Sequence, residues 1–487
     1  MSIRNLEPKA LWNNFADLNA VPRPSKKEER VIKFMMDFGK SLGLETIQDA
    51  VGNVVIKKKA TAGMEDRKMI IMQSHLDMVH QKNSDTVFDF DTQGIEMIVD
   101  GDWLRANGTT LGADNGIGVA AIMTVLASTD IEHPAVEAMF TIDEETGMTG
   151  AMELDPSNFD GEILLNLDTE DDDELSIGCA GGIDSNSELN YSEVDLWEFA
   201  GVFEVKINGL VGGHSGMDID KGRGNANKLM NRLLQKLMVI KGFQLISIDG
   251  GSLRNAIPRE STAVFAINHN FEGMLEVEFA TMSLLLKNEF ALIEKELNLS
   301  LNPVTTSSNK AVSPEDLQKI IRSIYSTHNG VFRMSPDIEN LVETSGSLAR
   351  VIVGNGSFIT QSLLRSSVES TKDDIANSVR ASFEAVGCNV VQDGDYPGWQ
   401  PKRDSEILTI LEDLYVARFN EQPKVKACHA GLECGLLLKH LPEVDMISFG
   451  PNIRAPHSPD EKVQISSVQK FWGYLLEVLV SIPKKSI

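Results

Sequence analysis

The chain has 487 residues, more than the ~250–300 at which a single hydrophobic core stops growing, so at least two domains are expected. Its 42% hydrophobic and 24% charged residues exclude a disordered or fibrous protein. The net charge of −26 would repel a phosphate backbone over most of the surface and argues against a nucleic-acid partner.

The chain order then suggests an architecture. Residues 5–20 and 25–43 read as helices, the second opening at Ser25 with Glu28 three residues on, a capping box. After Gly52 come short β-rich runs, VVIKKK from Val54, MIIMQ from Met69, AVEAMFTI from Ala135 and ILLNLD from Ile163, with a helical stretch from Ile117 among them. Such apolar runs alternating with helices predict a sheet covered on both faces. From about Glu188 the strands alternate, as in FEVKINGL (Phe203) and STAVFAIN (Ser261), and each is followed by a helix-like stretch, from Asn227 and from Glu276. A second set of similar element order spans Pro314 to Gly387, a hint of internal duplication. Turn residues cluster from Asp393 to Pro401, and residues 404–487 resume helix, strand and closing helix. The expected fold class is α/β, a mixed sheet between helices formed by residues 1–186 and 402–487, with an α+β domain of residues 187–401 inserted.

Four cysteines, Cys179, Cys388, Cys428 and Cys434, include no CxxC pair and suit a reducing compartment. The N-terminus lacks an apolar signal core, and the apolar stretch from Trp472 is shorter than the ~20 residues a bilayer needs. A cytoplasmic, membrane-free protein is expected.

Candidate metal ligands recur where strands end or helices begin. His75 closes an apolar strand, and Asp77 two residues on is placed to accept a hydrogen bond from its ring. Asp114 lies in GTTLGADNGIG, where a glycine-containing loop opens a helix. Glu144 and Glu145 follow a strand, Asp168 ends another before an acidic run (Glu170 to Glu174) read as a solvated turn, and His457 precedes a proline loop. Singly, each is an ordinary residue. Together, two histidines and several acids supply what a two-metal hydrolytic site needs, a bridging carboxylate with one nitrogen and one oxygen donor for each ion.

The motifs SHLDMV, GADNGIG, TIDEETGMTGA, LLNLDTED, GGHSGMDI, ACHAGLECG and APHSPDE run in order over essentially the whole chain. In this they resemble the M20 metallopeptidases and, among these, the aminoacyl-histidine (Xaa-His) dipeptidases. The resemblance implies that Asp114 bridges two divalent ions, zinc by default with Mn²⁺ or Co²⁺ as alternatives. His75 and Asp168 would complete one site, and Glu145 and His457 the other. It further implies that Asp77 orients His75, that Glu144 is the general base, and that a non-proline cis peptide joins Asp114 to Asn115. The inserted domain would be a lid. Its His214 would face the scissile carbonyl oxygen, Asn255 would hold the carbonyl, and Arg365 the substrate carboxylate. His429 and Glu433, in the HAGLECG loop, would contact substrate. The implied activity is hydrolysis of unblocked dipeptides, including β-alanyl-histidine, by a homodimer formed through the lids. The alternatives are an amidohydrolase of N-acylated amino acids and a non-catalytic metal- or peptide-binding homologue.

Overall fold

In the computed structural model, which describes residues 2–485, the apolar runs become the centre of an eight-stranded mixed sheet. Its order is Glu45–Gln48, Val54–Lys58, Val136–Thr141, Ile70–His75, Ile163–Asn166, Asp445–Ser448, Glu174–Cys179 and Lys424–Cys428. Every residue of the strands Ile70–His75, Val136–Thr141 and Ile163–Asn166 is buried, as expected of strands covered on both faces. These three and Asp445–Ser448 run parallel. The parallel register sets His75 level with Thr141, and Gln73 level with Asn166, so the chain leaves all three central strands at the same edge. The helix Ala113–Ala127 is buried along nearly all its length, in keeping with the apolar residues on every side of it after Asp114 and Asn115. The strand Asp445–Ser448 adds to the sheet begun by the first part of the chain, so the expected fold class is the one observed.

The chain divides into two compact units. The first comprises residues up to Gly178, with Trp399–Ala427 and the chain from Leu432 onward; the second is Cys179–Gly398 with Cys428–Gly431. Residues 181–186 fall in the second unit because the strand Gly181–Asn190 pairs along its length with Ser357–Ser366.

The second unit is built on an antiparallel sheet in which one β-α-β-β-α-β pattern occurs twice. One copy contains the strands Ala200–Asn208, Gln244–Gly250, Ser261–Asn268 and Asn298–Pro303, with the helices Ala226–Leu237 and Glu272–Glu289. The other contains Gly181–Asn190, Val342–Gly354, Ser357–Ser366 and Asn389–Tyr396, with Pro314–Ser326 and Glu369–Glu384. In each, the sheet order is fourth, first, third, second, and the two second strands pair with each other at the junction. This is the ferredoxin-like arrangement, doubled. One core, including Leu234, Phe265, Phe358 and Phe383, serves both copies.

Three local expectations are corrected. The first long helix starts at Lys9, not residue 5, because Pro8 disfavours helical geometry in the residue before it. The helix expected from Ser25 starts at Glu29; the Ser25 hydroxyl donates instead to Asp77 Oδ2 (2.8 Å) and so caps nothing. The acidic run after Asp168 is a turn that is partly exposed but also ion-paired, Asp171 with Arg454, Asp172 with Lys470, Asp173 with Lys424 and Glu174 with Lys426.

Candidate active site

Six of the sequence-selected residues meet in the first unit beyond the common edge of the parallel strands, the usual place for a site in an α/β sheet. His75 is 1% exposed. Its Nε2 lies 3.1 Å from Asp114 Oδ1, 3.6 Å from Asp168 Oδ1 and 4.0 Å from Glu144 Oε2. His457 Nε2 lies 3.3 Å from Asp114 Oδ2 and 2.9 Å from Glu145 Oε2. Asp114 thus turns one carboxylate oxygen to each histidine. It stands in the first turn of its helix with non-helical φ −81° and ψ 111°, and the Asp114–Asn115 peptide is cis. Asn115 donates through its side chain to Asp168.

Asp77 is fully buried behind this cluster. His75 Nδ1 faces its carbonyl oxygen at 3.2 Å and its Oδ1 at 3.4 Å, which turns Nε2 toward the other acids. Asp77 Oδ1 also accepts the N–H of Glu144 (3.0 Å), and Oδ2 that of Glu145 (3.3 Å). One carboxylate therefore fixes both the imidazole and the two-glutamate turn. The preceding Asp143, overlooked in the sequence, braces that turn from below. It has φ 59° and accepts hydrogen bonds from Lys26, Thr146 and Thr149.

The electrostatics show a site short of positive charge. Burial pushes Glu144 well above the carboxylate range, and burial likewise raises Glu145 and Asp168. For Asp114, burial is outweighed by the hydrogen bonds of His457 and His75, which hold it low. Bonding to Asp114 and Glu145 in turn lifts His457 to about 11. Two imidazoles and three carboxylates converging in this way are a donor set suited to divalent cations. The ligand atoms of His75, Asp114 and Glu145 all lie within 4.8 Å of one another.

In the second unit a separate cluster gathers His214, Arg365 and His429. His214 stands in a two-residue strand paired with Ala256–Ile257, and the carbonyl of the exposed Asn255 accepts from Ser215 N (2.8 Å). His214 Nδ1 accepts the N–H groups of Gly216 (3.1 Å) and Met217 (2.9 Å), so in the neutral ring the proton resides on Nε2. Burial first, then the charge of Arg365, lowers His214 to about 4, and the same two causes lower His429 to about 3. A Cβ on Gly216 would lie 2.1 Å from the His429 carbonyl, so only glycine lets these segments approach so closely. Arg365 is 5% exposed; its Nη1 donates to Tyr396 Oη (3.0 Å) while its Nε has no partner. Among the described residues no carboxylate lies within ion-pair distance of it. A buried guanidinium with no carboxylate in direct contact, only the more distant charge of Asp184, beside two neutral imidazoles, is suited to receive an anion.

His429 and Glu433 part company. His429 Nε2 meets Ser345 Oγ at 2.8 Å in the second unit. Glu433 is fully buried in the first unit, where its Oε2 accepts from Gln73 (2.7 Å) and Thr141 (2.8 Å) of the central strands. Tyr396, Ser345, Asp143 and Asn115 lie outside the residues selected from sequence. Only Asp143 and Asn115 had a signal there, as neighbours within the quoted motifs.

Over 483 residues the chain is 41% identical to the cytosol non-specific dipeptidase of Escherichia coli K12, covering 99% of each chain. The solved aminoacylhistidine dipeptidase of Vibrio alginolyticus superposes with a TM-score of 0.93 at 40% identity, over 100% of this chain and 99% of that one. Aminopeptidase PepT of Bacillus cereus, at 14% identity, shares the fold alone, with a TM-score of 0.56 over 97% of this chain and 98% of its own. Residues 71–481 match peptidase family M20/M25/M40. The chain belongs to that family and is a hydrolase of peptide bonds.

Proposed function

We propose that this protein is a cytosolic two-metal dipeptidase acting on unblocked dipeptides, Xaa-His among them. The observation that carries the reading is the Asp114 carboxylate, whose two oxygens face two different histidines, each with an acid of its own. The full-length similarity to two dipeptidases supports the substrate class. His75 and Asp168 would hold one ion, Glu145 and His457 the other, and Asp114 both, with zinc as the proposed metal. Bound there, the ions would polarise the scissile carbonyl and lower the pKa of a water between them.

The remaining steps belong to the chain's own groups. Glu144, its backbone fixed by Asp77, takes the proton of the attacking water and hands it to the leaving amine. His214 is assigned to the oxygen that becomes negative as water adds; its Nδ1 already accepts two N–H groups, which leaves Nε2–H as its donor. Arg365 is assigned to the substrate's C-terminal carboxylate, a task its buried guanidinium with an unpartnered Nε suits. Asn255 is assigned to the substrate carbonyl and His429 to the walls of the carboxylate site. A homodimer formed through the second unit is part of the same reading, and light scattering on the eluting protein tests it.

The test of substrate class is hydrolysis of Gly-His, β-Ala-His, Leu-Leu, a tripeptide and N-acetyl-Leu-Leu by metal-reconstituted protein. Cleavage of the free dipeptides above the other two is expected. Preference for the acetylated compound would replace the dipeptidase by an amidohydrolase of N-acylated amino acids, and no cleavage at all would leave a binding protein.

A further inference from the structure

Glu461 is fully buried, and its carboxylate points at backbone alone. Its Oε2 accepts the N–H groups of Leu111 (2.7 Å) and Gly112 (2.9 Å), and its Oε1 those of Ala113 (2.7 Å) and Asp114 (3.3 Å). Four successive N–H groups around one anion form a backbone nest. The φ of 70° at Gly112 closes it, a conformation suited to glycine. From another side the buried Arg23 grips the same turn by its carbonyl. Nη2 donates to Gly112 O and, at 3.1 Å, to Asn19 Oδ1, while Nη1 donates to Leu76 O and Asp77 O at 3.0 Å each. One carboxylate thus holds the N–H groups of the turn that presents Asp114, and one guanidinium ties that turn to the strand end that presents His75.

The strand topology places Glu461 for this task. The hairpin Ile453–Arg454 and Lys462–Gln464 carries His457 and Glu461 in its loop, and Lys462–Gln464 pairs with Trp103–Ala106, with Lys462 opposite Arg105. The chain leaving Trp103–Ala106 leads directly into the 111–114 turn. Asp114 and His457 therefore arrive on neighbouring arms of one ladder, joined across the gap by Glu461.

We propose that Glu461, with Arg23, is the positioning pair that sets the Asp114 carboxylate at the angle from which it can face both histidines, and so couples the two metal positions. This rests on the two-ion reading above. Without that carboxylate, four converging N–H donors have no common partner, and the turn that presents Asp114 loses its hold on the N–H side. Glu461→Gln keeps the shape but turns an NH₂ toward one pair of those donors, so the turn must rotate.

The test uses Mn²⁺ alone as probe on the full chain, with binding followed by calorimetry and ion pairing by electron paramagnetic resonance. Wild type is expected to bind two Mn²⁺ and to show an exchange-coupled spectrum. In Glu461→Gln the second ion is expected to bind about 10- to 100-fold more weakly, with the coupled signal replaced by that of isolated Mn²⁺. The KM for a dipeptide should stay close to wild type while kcat falls, and kcat should recover partly as Mn²⁺ is raised. A merely structural role would lower the folded fraction and leave the spectrum of the folded protein unchanged. A folded Glu461→Gln with wild-type affinity and coupling overturns the proposal. If that variant does not fold, Arg23→Lys, which keeps the charge but withdraws the fork, is read by the same spectrum with the same expected loss, and full coupling there overturns the pair. A wild type that binds no coupled ion pair refutes instead the two-ion reading on which the proposal stands.

Discussion

Arg365→Met is expected to move stability and activity in opposite directions. Arg365 is 5% exposed, with Tyr396 Oη as its side chain's hydrogen-bond partner and its Nε unsatisfied. The substrate-free protein therefore carries the cost of a buried charge with no carboxylate in direct contact. Replacing it by an apolar side chain of similar length relieves that cost and forfeits one hydrogen bond, worth about 1 kcal/mol, so Tm should hold or rise. With substrate present the balance reverses. Truncating one partner of a buried, hydrogen-bonded charge pair costs about 2–5 kcal/mol, and each 1.4 kcal/mol is tenfold, so kcat/KM for a free dipeptide should fall roughly 30- to 4,000-fold. Arg365→Lys, which keeps the charge without the fork, should lose about tenfold. The assay compares Ala-His with its C-terminal amide. Wild type should prefer the free acid, and Arg365→Met should bring the two to similar rates by losing the acid alone. Equal loss on both substrates, or a persisting preference for the acid, would refute the assignment of Arg365 to the carboxylate.

Four further outcomes are expected. Glu144→Gln should lower kcat by about 10²–10⁴ while leaving the metal content measured by emission spectrometry unchanged. His214→Ala should cost about 10²–10³ in kcat with little change in KM; because burial and Arg365 hold His214 at about 4, the kcat profile between pH 5 and 9 should show no limb that this substitution removes. Burial raises Glu433 from 4.5 to about 7, so the folded chain keeps a proton that the unfolded chain releases; the stabilisation is complete below 4.5 and lost as pH rises to about 7, a slope in urea denaturation that Glu433→Gln should flatten. Chelation should abolish activity and lower Tm, since ions that bind only the folded site stabilise it, and a Tm unmoved by chelator would contradict this.

Much of this was legible because strand ends are legible. An apolar run that stops at His75 or Asp168 marks both a buried strand and the polar residue delivered at its edge, and the parallel register does the rest. Asp114 could be placed at a helix start from its loop. The supporting groups could not be found in the same way, because their partners are backbone atoms or distant side chains. Ser25 has every local mark of a helix cap, yet its hydroxyl serves a carboxylate 52 positions away. Glu461 bonds only main-chain N–H groups some 350 positions earlier, a role that no spacing of side chains reveals. The acids 171–174 looked like a solvated turn because their cationic partners, Lys424, Lys426, Arg454 and Lys470, arrive only with the last part of the chain. Glu433, expected to touch substrate, bonds inside the sheet, since its helix begins with that carboxylate turned toward Gln73 and Thr141.

The most direct test of the central claim is cleavage of a free dipeptide by metal-stripped protein titrated with Zn²⁺, with Glu144→Gln in parallel. No activity is expected without metal, and a rise that saturates at two equivalents per chain is expected on titration. Glu144→Gln should take up the same two equivalents and remain nearly silent. Full activity in the stripped protein, or a Glu144→Gln variant as active as wild type, would contradict that claim.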